Sequence, residues 1–144
     1  MKWITREHVK VDRVACPWLI QRFIDPSAEF VFLPENTDWR KVSDGFVYDV
    51  PGSDLGHKGE DVSFDSILRK FGLEDPALRL LAEIVRAADS HPTNPHAAGE
   101  GLRWIAHGFS KLHLSDHDLL DREFIIYDAL YAECKERSAS HESN

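Results

Sequence analysis

The first 33 residues constrain this chain most, because a β-prone segment, a helix-length segment and a second β-prone segment follow one another with little chain between them. Residues 2–5 open with Trp3 and Thr5, both suited to a strand, and residues 29–33 are aromatic and β-branched up to a stop at Pro34. Two strands joined through a helix pair in parallel, with a right-handed crossover. A third strand is expected at residues 46–50, after a polar connection in which residues 38–42 suit one short helical turn. Helices are expected over residues 63–71, ended by Gly72, over 75–88, from 97 to 108 or 112, and over 116–136, where Ser115 and Asp118 resemble a capping box. The fold class is therefore α+β (mixed α/β): a small, partly parallel sheet of about three strands in the first half, packed by helices, and a helical second half. Residues 1–137 read as one domain and residues 138–144 as a disordered tail.

The helix between the first two strands concentrates the chemistry. Residues 11–26 hold Cys16-Pro17, Trp18, Arg13 and Arg22, Asp12 and Asp25. Two starts are open: Asp12 as N-cap with Pro17 in the second turn, or Pro17 as first helical residue with Cys16 as cap. Either start puts the Cys16 thiol in or beside the first turns, where N–H groups and the helix dipole favour thiolates and anions. Val14, Trp18 and Leu19 share an apolar face, with Arg22 flanking it and Asp25-Pro26 closing the helix. Arg13, Cys16, Trp18 and Arg22 are the candidate ligand-binding residues, with Arg13 and Arg22 able to give charge-assisted bonds to a dianion.

Charge narrows the partners. The formal net charge is −8 over 144 residues, against the Lys and Arg surplus that nucleic-acid or anionic-membrane binding requires. The first 25 residues nevertheless hold five basic side chains (Lys2, Arg6, Lys10, Arg13, Arg22) against three acidic ones (Glu7, Asp12, Asp25), so an anion site belongs near that end. Two cysteines without CxxC spacing, Cys16 and Cys134, imply neither a disulfide framework nor a zinc finger. No leader or membrane-spanning run is visible, and the expectation is a cytoplasmic protein with reduced thiols.

A second candidate site follows the third strand. Asp49 stands at its end, and the Gly-rich loop beyond it carries His57 and Glu60; in α/β sheets such strand ends are where ligands bind. With Asp89, or His91 from the next loop, these residues form a carboxylate and imidazole set suited to a divalent transition metal. Asp49, His57, Glu60 and Asp89 are the candidate metal ligands. His113 and His117 have helical spacing, but the helix start at Ser115 separates them. No Walker loop, nucleophile elbow or GxGxxG sequence is present.

Several stretches in order carry a family likeness. Val11-Asp12-Arg13 through Cys16-Pro17-Trp18-Leu19-Ile20 to Asp25-Pro26, then Asp49-Val50-Pro51-Gly52 with His57 and Gly59, Ser63-Phe64 with Phe71-Gly72-Leu73, Asp75-Pro76-Ala77-Leu78 to Ala88-Asp89, and Tyr127-Asp128-Ala129-Leu130-Tyr131-Ala132 resemble the C-terminal domain of ChrB-type chromate resistance proteins. The resemblance covers about residues 1–135. It implies a chromate-associated role. Full-length members resemble chromate-responsive regulators with an N-terminal half suited to DNA, and that half has no counterpart here, so DNA binding is not expected to carry over. Where relatives often show a Cys before the Ser-Phe pair, this chain has Val62.

Three readings remain open at this point. The first is a non-enzymatic accessory or sensor protein for chromate, a related oxyanion or a metal; the second is a small metal-dependent enzyme, redox or hydrolytic; the third is a structural interaction module. The partner is expected to be a small anion or metal ion, with a homodimer or a protein partner as a further expectation.

Overall fold

A computed structural model describes residues 1–8, 11–59, 61–89 and 95–142, with the side chains of Asp12, Arg13, His141 and Glu142 outside that description. Strand β1 (Lys2–Arg6) lies at the centre of a three-stranded sheet, flanked by β2 (Glu29–Leu33) and β3 (Phe46–Val47). Both pairings are parallel, with Trp3 opposite Phe30 on one side and Phe46 on the other. Helix α1 (Val11–Phe23) makes the crossover between β1 and β2. The helical half follows as α2 (Ser63–Lys70), α3 (Pro76–Asp89), α4 (Ala97–Ser110) and α5 (Asp116–Glu142). The fold is thus α+β with its sheet in the first half.

Three boundaries differ from the sequence expectation for identifiable reasons. The third strand stops after Val47: the Tyr48 N–H still donates to the Ile4 carbonyl at 3.0 Å, but Tyr48 bridges Leu55 and Asp49 takes a left-handed conformation (φ 51°), a region that Asp tolerates better than most residues. Helix α1 starts at Val11, so Asp12 is inside the helix and Pro17 is its seventh residue, where the ring deprives the Arg13 carbonyl of a donor. Helix α5 runs to Glu142, six residues past the expected end at residue 136.

Helix α1 is not the amphipathic surface helix its sequence suggests. Residues 14–20 are all buried, because α1 packs against α2, α3, α4 and α5. Trp3, Trp18, Leu19, Tyr48, Phe64, Leu78, Leu81 and Tyr127 belong to one continuous core around it. Trp3 Nε1 donates to Asp25 Oδ2 at 3.0 Å, tying the central strand to the end of α1; this hydrogen bond is the main reason that the Asp25 carboxyl lies below its ordinary pKa. Among the described residues, no helix is long and apolar enough to cross a membrane.

Glu123 on α5 is the anomaly of the core. It is 1% exposed, and its Oε1 has no hydrogen-bond partner. Burial pushes its carboxyl up to about 7 from an ordinary 4.5. The folded chain then keeps a proton that the unfolded chain releases, so this group's contribution is full below about pH 4.5 and declines as pH rises to about 7. Glu123→Gln is expected to stabilise the protein at pH 8, by up to about 3 kcal/mol, with the gain vanishing below pH 4.5. Urea unfolding of both proteins across that range checks it; a destabilised variant at pH 8 would contradict it.

Candidate functional site

The loop after β3 is irregular but tied down. Ser53 Oγ donates to the Val47 carbonyl at 2.7 Å and accepts from Leu55 N–H at 3.1 Å. Ser66 Oγ, on α2, donates to the Gly56 carbonyl at 2.7 Å. Lys58 and Asp61 exchange two backbone hydrogen bonds. Two glycines close to His57 are required by geometry: a Cβ on Gly56 would lie 2.9 Å from the Val50 carbonyl oxygen, and Gly59 has φ +64°. The loop therefore presents His57 from a braced turn.

His57 meets two carboxylates from separate elements. Its Nε2 lies 3.2 Å from Asp49 Oδ1 and 3.4 Å from Asp89 Oδ2. Asp49 arrives from the end of the third strand, its side chain 5% exposed, and Asp89 from the last residue of α3, 20% exposed, while the imidazole is 47% exposed. Ser63 Oγ, at the start of α2, donates to Asp49 Oδ1 at 2.8 Å and fixes that oxygen. Asp65 then clamps the two helices that carry these groups. It accepts from Val62 N–H at 3.1 Å, capping α2, and from Arg86 Nε and NH2 on α3 at 3.2 and 2.9 Å. The paired carboxylate raises the Arg86 pKa chiefly through this hydrogen bond.

Three of the four expected metal ligands, Asp49, His57 and Asp89, thus converge on one point at the carboxyl end of the sheet. Glu60 lies outside the described residues, as does His91. Among the described residues no three His, Cys, Asp or Glu side chains form a group that could hold a metal ion as they stand. What stands there is an imidazole between two acids.

The α1 residues are arranged differently. Cys16 is the sixth residue of the helix, in its second turn, and is 0% exposed. Trp18 is buried, and its Nε1 donates to Asp128 Oδ1 on α5 at 2.7 Å. Arg22 donates to both oxygens of the same carboxylate at 3.0 Å, its NH1 donates to Gln21, and it sits over the Phe124 ring. That bidentate bond is the main cause of the raised Arg22 and lowered Asp128 pKa values. The Arg13 side chain lies outside the described residues. Sequence reasoning paired neither Asp128 with Trp18 nor Asp65 with Arg86; the only signal for Asp128 was its place in the Tyr127-to-Ala132 stretch.

Fold and cluster together define a small α+β domain with an acidic imidazole site at the edge of a parallel sheet. The family model described as ChrB, C-terminal domain, matches residues 3–134, and the chain belongs to that family. It is 39% identical over 131 residues to Protein ChrB of Cupriavidus metallidurans, an alignment that covers 90% of this chain and 40% of the relative. No solved structure matches the chain.

The Asp128 clamp makes a test of the α1–α5 junction. Because its folded pKa lies below the ordinary 3.8, its contribution is present above that value and lost as pH falls through the lower folded value. Asp128→Asn is expected to lose up to about 1 kcal/mol at neutral pH, because the pair with Arg22 is partly screened by solvent, and the gap to the wild type should narrow below pH 4. Chemical denaturation at pH 7 and pH 3 measures this; an equal gap at both would contradict it.

Proposed function

We propose that this chain is a chromate-resistance-associated accessory domain that binds a divalent transition-metal ion at Asp49, His57 and Asp89. The observation that carries the reading is the position of His57 Nε2, 3.2 and 3.4 Å from the two carboxylates. A tetrahedral ion with nitrogen and oxygen ligands at about 2.0–2.1 Å sets neighbouring ligand atoms about 3.3–3.4 Å apart. The donor set carries two negative charges and one neutral imidazole, matched to a divalent ion. A metal ion needs the neutral imidazole and both ionised carboxylates as ligands, so affinity falls on acidification.

An oxyanion is the poorer occupant. Two carboxylates repel a dianion at the His57 cluster, and on α1 the Arg22 and Trp18 donors already serve Asp128. Cys16 has no access to solvent. Response to chromate in this reading passes through the metal rather than through direct capture on α1. One observation favours a second reading, a small metal-dependent enzyme: the half-exposed imidazole leaves a side of the site open, as catalytic metal sites require.

Calorimetric titration with Zn²⁺ tests the proposal. One equivalent should bind to the wild type, and His57→Ala should weaken it at least tenfold without loss of helical circular dichroism. Titration with chromate or sulfate should give no binding heat. A wild type that ignores Zn²⁺, or a His57→Ala variant that binds it equally, would sink the metal reading.

A further inference from the structure

Helix α4 has two apolar faces, and the fold uses one. Gly99, Leu102 and Ala106 are buried; at Gly99 a Cβ would fall 2.5 Å from the Ala87 Cβ, so α4 lies tightly on α3. On the opposite side Trp104 is 74% exposed, Ile105 40% and, just past the helix end, Leu112 61%. At 100° per residue, Ala97, Gly101, Trp104, Ile105, Gly108 and Leu112 fall within about 60° of one line. No charged residue lies on that line. A Cβ at Gly101 or Gly108 would meet nothing within 4 Å, so the stripe has two shallow steps about 10.5 Å apart. Trp104 does not swing freely, since its Nε1 donates to Glu100 Oε1 at 3.1 Å.

The charges beside the stripe say what covers it. Glu100, His107 and Lys111 all flank it on the same side, with the acid near the amino end and Lys111 at the carboxyl end. We propose that the exposed face of α4 binds the same face of a second copy of this chain, with the two helices antiparallel. A two-fold axis beside Trp104 and Ile105 sets Gly101 of one copy against Gly108 of the other. It also sets Glu100, which holds Arg103 NH2 at 2.9 Å within its own chain, beside Lys111 of the other copy, twice, and opposes the helix dipoles. A parallel arrangement about a two-fold along the helices sends the charged flanks to opposite sides and loses both ion pairs. The antiparallel register is therefore the self-complementary one, as an isologous interface requires.

The contact is one helix face about 21 Å long, near the lower bound of about 1,000 Å² for a specific interface. It is accordingly a weak, concentration-dependent dimer anchored on Trp104, a residue type enriched at interface centres.

Sedimentation velocity of the full chain, with EDTA present so that metal plays no part, is the test. The wild type should shift from monomer to dimer between low and several hundred micromolar. Trp104→Ser combined with Ile105→Lys, both at exposed positions, should weaken the dimer at least tenfold with unchanged circular dichroism. Glu100→Lys and Lys111→Glu should each weaken self-association, and an equimolar mixture of the two should recover it, because each then meets the opposite charge. A wild type that stays monomeric, a dimer indifferent to the Trp104 and Ile105 substitutions, or a mixture that gains nothing over either variant alone would each overturn the proposal.

Discussion

The carboxylate of Asp128 joins the first helix of the chain to its last, and the rest of the fold is arranged around that junction. It takes the indole N–H of Trp18 and two donors of Arg22, and the Tyr127 hydroxyl beside it donates to the Val11 carbonyl at 3.2 Å. A helix buried along residues 14–20 leaves the Trp18 indole N–H to find a partner inside the protein, since water is excluded there. It finds Asp128 on α5, and the more exposed Arg22, one turn on, grips the same carboxylate. With α1 fixed between the sheet and the later helices, β1 is held at the centre of the sheet and the strand end carrying Asp49 is fixed with it.

Positioning of the His57 cluster follows from this frame at one remove. Asp49 leaves the third strand in a left-handed conformation, which turns its side chain toward the start of α2, where Ser63 donates to it. Asp89 comes from the end of α3, and the Asp65–Arg86 pair sets α3 against α2. Three separate elements therefore deliver one imidazole and two acids. Like charges brought together at a partly buried site repel unless a cation stands between them, and a divalent ion with a neutral imidazole would cancel both carboxylate charges in the proposed site.

Much of the fold was legible from periodicity. The strand–helix–strand opening, the parallel pairing it forces and four of the five helix starts follow from aromatic and β-branched runs, Gly72, the Asp75-Pro76 pair and the Ser115 cap. What the sequence could not show was how much of α1 would be covered, because burial around Trp18 depends on α5, more than a hundred residues away. Cys16 is a candidate thiol beside the helix start or a buried core residue on sequence grounds, and it lies in the core; Arg22, a candidate anion donor, holds Asp128. The His57 cluster was legible for the converse reason. Asp49 and His57 share one loop at a strand end, a place where parallel sheets gather function, and Asp89 closes a helix that must return to the same edge. Asp65 and Arg86 carried no signal, since a pairing between helices is set by their packing.

The central claim is that the fold holds Asp49, His57 and Asp89 as a cation site rather than as a structural ion pair. Anomalous diffraction from crystals grown with Zn²⁺ tests it most directly. The account predicts one strong peak within about 2.2 Å of His57 Nε2 and of a carboxylate oxygen from each aspartate. Density that leaves the imidazole paired to the two acids, with zinc absent or bound elsewhere, would contradict it.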